Sequence, residues 1–407
     1  MGLFDRFAST VNATHEIDES GANPFTIAWD DVLSQTEAVW KGRKTVLAGT
    51  HNYLGLTFSE DCIEAGVAAL RQRGTGTTGS RIANGTYPDH FALEAQLAEF
   101  FGKRVCMAFT TGFQANLGVV ATLGGPDDIL LIDSDSHASI YDAVKLSSAK
   151  ILRFRHNDMK DLAHRLERLE GTPGNRIIVA EGIYSMLGDQ APLAEMIAIK
   201  KRFGAYLILD EAHSVGVLGP SGRGLAEELG LLDDVDVLTG TFSKSFGTVG
   251  GFCVSSLPDF EVMRVVCRPY MFAASLPPAV IASTSAALRA LQTTPALRLR
   301  LWRNIPVLYN GLRAAGFSLG PHEGPIVAVA AGKGRDLAVH TWRQLLEAGY
   351  YVNLALSPAT PGGISLLRCS VSAAHSVEQL QGLVDALTQI AHGNGLLPAP
   401  MAAMAAG

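Results

Sequence analysis

The strongest constraint on the fold is a series of short, almost wholly apolar strand candidates that alternate with helical segments. The sequence predicts seven such strands, at residues 104–110, 128–132, 151–154, 176–180, 206–209, 235–239 and 250–254. Apolar strands separated by helices form βαβ units, in which helices cover both faces of the sheet. The pattern therefore predicts an α/β fold built on a mainly parallel seven-stranded sheet.

A different pattern begins near residue 285. Residues 281–312 form a long helical pattern that we expect to break near Pro295, and strand candidates at 326–331 and 364–370 follow among further helices. We divide the chain into a helical N-terminal segment (1–45), a large domain (46–285), a smaller α/β C-terminal domain (286–395) and a flexible tail (396–407).

Composition excludes several classes of protein. Of the 407 residues, 47% are hydrophobic and 18% are charged, so the chain can bury a large core and is not disordered. The net charge of −6 argues against a nucleic-acid partner. The five cysteines are scattered without a C-x-x-C pair, which argues against a zinc site or disulfide scaffold and favours a cytoplasmic location. We expect no metal, signal peptide or membrane span.

Two motifs resemble nucleotide-binding elements but lack their context. The segment GTGTTG (74–79) matches G-x-G-x-x-G, yet a helical stretch precedes it and no helix start follows, so we predict a loop that lines a pocket. The segment DEAH (210–213) resembles a Walker B element, but the chain has no P-loop. It does place a carboxylate and an imidazole after a parallel strand, where open α/β sheets bind ligands. His156 and His164 are predicted to be exposed.

Lys244 is the main candidate for chemistry. It follows a buried strand in TGTFSKSFGTVGG (239–251), among small, hydroxyl and apolar side chains. Desolvation there would lower the pKa of the amine and make it a nucleophile, as a Schiff-base lysine requires. The alternative, which holds for most lysines, is an ordinary solvated side chain.

Residues at other strand ends complete a pattern typical of pyridoxal phosphate sites. Thr241 and Ser243 can bind a phosphate, and the strand–turn–helix TTGFQAN (110–116) directs its first N–H groups at an anion. Asp210 would keep a pyridine nitrogen protonated, and His137 would stack on the ring. Without a cofactor, Asp210 and His213 would be a buried ion pair.

In these segments and others, the chain resembles the α-oxoamine synthases, which are fold-type I pyridoxal-phosphate enzymes. The matching segments are HNYLGL (51–56), GTGTTGSRIANGT (74–86), TTGFQAN (110–116), DSHASIYD (135–142), EGIYSMLGD (181–189), DEAHSVGVLGPSGRG (210–224), TGTFSKSFGTVGG (239–251) and LLRCSVSA (366–373). Further likeness to the soluble bacterial branch that uses serine lies in FRHND (154–158) and VNLALSPATP (352–361).

The resemblance implies a role for each matching residue. It implies that Lys244 forms the Schiff base with pyridoxal 5′-phosphate and later moves the substrate's α-proton, while His213 contacts the phenolic oxygen of the cofactor. The implied cofactor-binding set is Gly112, Phe113, His137, Asp210, His213, Thr241, Ser243, Lys244 and Ser275. Arg368 would bind the amino-acid carboxylate, and Asn52, Tyr53 and Ser80 would line the substrate side. Ser80 and Tyr53 have a structural alternative as turn or core residues.

The implied activity is that of an acyltransferase, a decarboxylative condensation of an amino acid with a long-chain acyl thioester. With L-serine and a palmitoyl-CoA-like thioester as substrates, this condensation would be the first step of sphingolipid synthesis. A sister synthase that uses glycine or alanine, and a non-catalytic partner, are the alternatives. The acyl donor is coenzyme A or an acyl-carrier protein. Family members are homodimers with shared active sites.

Three positions depart from the pattern of that serine-using branch. Ala273, in MFAASLPP, stands where the family usually has Thr, which predicts weaker cofactor retention that Ser275 would offset. Leu356 stands where an Arg is common, and His51 where Tyr is frequent. A leucine cannot bind a carboxylate, so these positions leave the preferred amino acid open.

Overall fold

The computed structural model describes residues 2–8, 10–11, 14–15, 23–332, 334–356, 360 and 363–397. It forms two compact units, one of residues 51–302 and one that combines residues 1–50 with 303–407. The second unit begins later than the predicted boundary at 286, and it includes the start of the chain. Of the tail predicted at 396–407, residues 398–407 lie outside the described residues.

A seven-stranded sheet forms the centre of the unit 51–302. Its strands are β4 (Val105–Phe109), β5 (Ile129–Asp133), β6 (Lys150–Phe154), β7 (Arg176–Glu181), β8 (Tyr206–Asp210), β9 (Val237–Thr241) and β10 (Gly251–Ser255). Their order is β4-β10-β9-β8-β7-β5-β6, and β10 runs antiparallel to both of its neighbours. The other pairings are parallel. The predicted mainly parallel sheet of an α/β fold is confirmed.

Ten helices lie in this unit, and those between β4 and β9 connect successive strands as the apolar pattern predicts. They are α1 (Glu60–Arg73), α2 (Pro88–Phe101), α3 (Gly112–Leu123), α4 (Ala138–Leu146), α5 (Met159–Glu167), α6 (Leu193–Phe203), α7 (Leu225–Glu228), α8 (Met263–Val266), α9 (Arg268–Met271) and α10 (Pro278–Thr293). Short 3₁₀ turns lie at Asp5–Phe7, Leu56–Phe58, Leu232–Asp234 and Phe260–Val262. Every residue of β4, β5, β9 and β10 is buried, because helices cover both sheet faces.

The other unit contains two small sheets. Strands β1 (Asp31–Val32), β2 (Glu37–Trp40), β3 (Arg43–Leu47) and β12 (Tyr350–Tyr351) form one, and β11 (Ile326–Ala330), β13 (Asn353–Ala355) and β14 (Leu366–Ser370) form the other. Its helices are α12 (Arg335–Glu347) and α13 (Val377–Gly393), and α11 (Ala296–Ala314) runs from one unit into the other. The break predicted near Pro295 separates α10 from α11.

The prediction of a helical segment over 1–45 is wrong between residues 31 and 45, where β1 to β3 lie. The parallel pairing of β3 with β12, which joins Val46 to Tyr350, explains the difference. Pairing with a strand so distant in sequence overrides local propensity.

All five cysteines are free and buried. Among the described residues, the helices are all too short or too polar to cross a bilayer.

Candidate active site

The carboxyl ends of the parallel strands place most of the predicted residues around one cavity. Asp210 ends β8, Thr241 ends β9, and His137 precedes α4 after β5. The cavity is lined by Gly112, Phe113, Asn116, His137, Ser139, Glu181, Asp210, Ala212, His213, Gly240, Thr241 and Lys244. All four predicted catalytic residues, Lys244, His137, Asp210 and His213, are therefore in its wall.

The carboxylate of Asp210 is buried and held at both oxygens. The side-chain amide of Asn116 donates to Oδ2 at 2.6 Å, and the backbone N–H of Ala212 donates to Oδ1 at 2.8 Å. Asn116 is itself held because the hydroxyl of Thr239 donates to its Oδ1 at 2.7 Å. These contacts fix the direction in which the carboxylate faces the cavity. Asn116 lies in a predicted motif, but its individual role was missed.

His137 caps the N-terminus of α4. Its Nδ1 accepts the backbone N–H of Ser139 at 3.2 Å, and its own backbone N–H donates to Glu181. Burial lowers the pKa of His137; the charge of Asp210 opposes this effect, and that of Lys244 adds to it. The lowered pKa favours the neutral ring, and the bond that Nδ1 accepts from Ser139 is consistent with an N–H at Nε2.

Glu181 lies beside Asp210 on the neighbouring strand, in register with it. Burial raises the pKa of Glu181 well above its usual range, and the charge of Asp210 adds to the shift. Burial and the neighbouring charge thus both favour the protonated form of Glu181. Sequence reasoning missed Glu181, although it opens the segment EGIYSMLGD.

His213 is oriented by Tyr53, whose hydroxyl lies 2.8 Å from Nδ1 of the imidazole. The ring of His51 packs edge-on against His213, with centroids 5.5 Å apart. Asn52 donates to the hydroxyl of Thr57 at 2.8 Å and accepts the N–H of Leu56 at 3.0 Å. Tyr53 is fully buried, so its side chain has the core position that was the alternative to a substrate contact.

The start of α3 forms a cradle suited to a phosphate. Thr111 caps this helix by accepting the N–H of Gln114, which leaves the N–H groups of Gly112 and Phe113 at the cavity wall. A Cβ atom on Gly112 would lie 2.8 Å from Cβ of Thr241, so only glycine fits here. The hydroxyl of Thr241 donates to the carbonyl of Gly250 at 2.8 Å.

Lys244 is half-buried and reaches the cavity from the loop that follows β9. Phe242 and Phe246, on either side of it in sequence, are buried and pack edge-on at 5.4 Å. Its positive charge adds to the lowering of the pKa of His137 and opposes the rise in the pKa of Glu181. The amine, the Asp210 carboxylate and the neutral imidazole thus share one small cavity.

Other predicted site residues lie elsewhere. Among the described residues, the cavity wall does not include Ser80, Ser243 or Ser275. The segment of Ser275 is joined to the glycine-rich loop, because its N–H donates to Gly79 at 3.0 Å and Ala274 bridges to Ser80. Arg368 belongs to the other unit, where it is buried in β14, the middle strand of its sheet.

His164 lies at the surface as predicted, with a 66% exposed side chain, whereas the side chain of His156, also predicted at the surface, is only 22% exposed. His156 lies between the carboxylates of Asp133 and Asp189, at 2.8 and 2.6 Å. Residues far apart in sequence supply these partners, so no local pattern reveals them. The available signal was FRHND, a motif noted only for its resemblance.

Comparisons with known proteins extend these observations. A family model described as aminotransferase class I and II matches residues 45–387. The chain is 56% identical over 397 residues to serine palmitoyltransferase of Caulobacter vibrioides (strain NA1000 / CB15N), and the alignment covers 98% of each chain. It is 38% identical over 364 residues to 8-amino-7-oxononanoate synthase of Geobacter sulfurreducens (strain ATCC 51573 / DSM 12127 / PCA), over 89% of this chain and 93% of that one.

A solved structure described as SPT with PLP internal aldimine has a similar fold. It superposes with a TM-score of 0.94 at 46% sequence identity, over 98% of this chain and 100% of that chain.

Proposed function

Because the chain belongs to the aminotransferase class I and II family, and within it to the α-oxoamine synthases, we propose that it condenses L-serine with a long-chain acyl thioester. Carbon dioxide leaves in this reaction, and the product is a 3-ketosphinganine-type α-oxoamine, the starting point of sphingolipid synthesis. The observation that carries the proposal is the single cavity that Lys244, Asp210 and His137 share, in a chain 56% identical to a serine palmitoyltransferase.

Pyridoxal 5′-phosphate fits the residues of this cavity. The free N–H groups at Gly112 and Phe113, with Thr241 beside them, would hold its phosphate, and Asp210 would hold its ring nitrogen. When bound, the cofactor supplies an electron sink for negative charge at the α-carbon of the amino acid. His137 offers a neutral ring face to stack on it, and His213 offers an N–H or lone pair to its phenolic oxygen.

Lys244 is the residue that would move protons. Its amine would bind the cofactor covalently in the resting enzyme, then remove the α-proton of the substrate and later return one to the product. A positioned general base of this kind contributes roughly 10²–10⁴-fold to a rate. Asp210 would support each of these transfers by keeping the pyridine nitrogen of the cofactor protonated, and Asn116 and Ala212 hold its carboxylate in place.

Arg368 would bind the carboxylate of the amino acid. A planar guanidinium matches a carboxylate through two parallel hydrogen bonds, which an ammonium cannot do. Its burial in the middle strand of a sheet is unusual for an arginine and is consistent with a specific anionic ligand.

We also propose a homodimer with shared active sites. Large apolar side chains are exposed on neighbouring segments of the unit 51–302: Ile82, Phe91, Phe113, Val265 and Phe272. Phe272 is 64% exposed, and Phe113 lines the cavity itself. Such a patch beside a cofactor site is best covered by a second copy of the chain, which would bring Ser275 to the partner's phosphate.

The five free cysteines favour the cytoplasm, a reducing compartment.

The first test measures the amino-acid preference. Purified protein loaded with pyridoxal phosphate is assayed with serine, alanine and glycine against palmitoyl-CoA, and the release of carbon dioxide is followed. Serine should be preferred. A tenfold or greater preference for glycine or alanine, about 1.4 kcal/mol, would instead assign the chain to the sister synthases, one of which is 38% identical. Repeating the assay with palmitoyl-acyl-carrier protein in place of palmitoyl-CoA identifies which of the two is the acyl donor.

The second test locates the cofactor. Borohydride reduction should trap pyridoxal phosphate on Lys244, and Lys244→Ala should abolish both the adduct and turnover. An adduct on another lysine, or none, would contradict the proposal and favour a non-catalytic partner.

A further inference from the structure

The segment FRHND carries an arrangement that the proposed chemistry does not use. The imidazole of His156 lies between two carboxylates, with Nδ1 2.8 Å from Asp133 and Nε2 2.6 Å from Asp189. The Asp133 side chain is fully buried, that of Asp189 is 6% exposed, and that of His156 is 22% exposed. A carboxylate on each side requires an N–H at both nitrogens, so the ring is an imidazolium.

The charges around His156 agree with this protonation state. Burial alone would lower the pKa of His156, but the hydrogen bonds to Asp133 and Asp189 outweigh it and raise the pKa to about 10. Asp133, Asp135 and His156 also have ligand atoms within 4.8 Å of one another. A ring that donates from both nitrogens has no lone pair for a metal, so the arrangement is an ionic clamp rather than a metal site.

Asn157 completes the clamp through its backbone and its side chain. Its N–H donates to Oδ2 of Asp133 at 2.9 Å, and its side-chain amide donates to Oδ2 of Asp189 at 2.9 Å. The residue has a φ of 52°, a left-handed conformation that asparagine tolerates better than most residues. Both carboxylates are thus joined to residues 156 and 157, directly after β6.

Each carboxylate is tied to a different loop. Asp133 is the last residue of β5, directly before the loop that leads to His137, and its carboxylate accepts the N–H of Asp135 at 2.9 Å. Asp189 closes the loop of residues 182–190, because its carbonyl accepts the N–H of Tyr184 at 2.8 Å. The first loop ends at His137 in the cavity wall, where the N–H of His137 donates to Glu181, the last residue of β7 and the residue before the second loop.

We propose that His156 is a positioning residue, whose positive charge holds the loop of residues 134–137 and the loop of residues 182–190 in register and thereby sets the place of His137 in the cavity. Without that charge, two buried carboxylates remain on opposite sides of a neutral side chain, and their repulsion separates the loops. The proposal deepens the proposed function and rests on it only for its catalytic consequence.

The test compares three full-length variants by hydrogen exchange without added cofactor. His156→Gln removes the charge, and His164→Gln is the control at an exposed histidine. The double variant His156→Gln/Asp189→Asn removes one carboxylate together with the cation. Peptides that cover 133–140 and 181–190 should exchange at least tenfold faster in His156→Gln, remain unchanged in His164→Gln and recover partly in the double variant.

The loaded enzyme supplies the catalytic readout. His156→Gln should lower kcat at least tenfold and shift the absorbance of the bound cofactor, because His137 no longer holds its place. Unchanged exchange in both loops would overturn the proposal, as would a uniform increase over the whole chain, which indicates a merely stabilising role. If wild-type protein shows no condensation but the loops respond as stated, the proposed function fails while the clamp stands.

A further variant, Asp189→Asn, tests the clamp even if His156→Gln does not fold. Asp189→Asn keeps the cation and its bond to Asp133, so it should loosen residues 181–190 and leave 133–140 protected. Equal exchange of the two loops in Asp189→Asn and wild type would overturn the clamp independently.

Discussion

The hydroxyl of Tyr53 lies 2.8 Å from Nδ1 of His213, across 160 residues of sequence, and Tyr53 has no exposed surface. Its burial fits the core position given as the alternative for this residue, and its contact with substrate stays a prediction. Its contact with His213 fixes the plane of an imidazole that lines the cavity wall next to Ala212 and Asp210. Tyr53 is therefore placed to support the orientation of His213.

Tyr53→Phe should weaken cofactor binding without unfolding the protein. The substitution removes one hydrogen bond, worth about 0.5–1.5 kcal/mol, and frees the ring of His213. We expect the dissociation constant of pyridoxal phosphate to rise about two- to tenfold, as measured by absorbance titration. Tyr206→Phe, at a tyrosine that is 40% exposed, is the matched control and should bind as wild type does. Equal constants for both variants would show that His213 needs no support from Tyr53.

Arg368→Ala should weaken serine binding far more than cofactor binding. A charged hydrogen-bond pair is worth about 1.5–3 kcal/mol, so the serine dissociation constant should rise roughly ten- to hundredfold. Arg368→Lys should recover little, because an ammonium cannot form two parallel hydrogen bonds. Arg335→Ala, at an exposed arginine of the same unit, is the control. A serine titration that is the same in Arg368→Ala and wild type would refute the carboxylate role.

The sequence predicted those parts of the fold and site that depend on local pattern. Each strand of the central sheet is a short apolar run, so its position could be inferred within about two residues. Asp210 and Lys244 follow such runs, and parallel strands bring their carboxyl ends to one edge, which is why both could be assigned to a site.

The missed features depend on pairings between distant segments. Asn116 contacts Asp210 from 94 residues away, and nothing in TTGFQAN identifies its partner. His156 looks like a polar residue in a loop until Asp133 and Asp189 are placed beside it. The strands β1 to β3 are short and partly polar, and their parallel neighbour β12 lies about 300 residues further along the chain. Local propensity cannot predict such pairings.

Ala273→Thr should strengthen cofactor retention. The segment is held in place by the Ala274–Ser80 bridge and by the bond from Ser275 to Gly79, so an added hydroxyl would be presented in a defined position. The buried hydroxyl of Ser275 has no hydrogen-bond partner among the described residues, which fits a group directed at a ligand or second subunit. We expect a three- to tenfold lower dissociation constant, on the order of 1 kcal/mol. Ala273→Val has the same shape without the hydroxyl and should show no gain.

The unit that contains the chain start should become less stable in mild acid because of His375. Burial lowers the pKa of His375 to about 4, since its Nδ1 accepts the N–H of Ser372 at 2.9 Å and the neutral ring is enclosed. The unfolded chain, with an ordinary histidine pKa near 6.5, binds a proton first as the pH falls. The free energy of unfolding is therefore highest above about pH 6.5. It falls as the pH falls from there towards 4, with a slope of up to about 1.4 kcal/mol per pH unit.

Urea unfolding between pH 4 and 8 measures this contribution. The midpoint of wild-type protein should fall with decreasing pH, and His375→Asn, whose carbonyl can accept the N–H of Ser372 but cannot be protonated in this range, should show a flatter dependence. His322→Asn, at an exposed histidine of the same unit, should follow wild type. If His375→Asn is less stable but retains the full wild-type dependence on pH, then His375 is not the group that titrates. A lost hydrogen bond lowers the stability at every pH, whereas a lowered pKa changes the stability only between the pKa values of the folded and unfolded states.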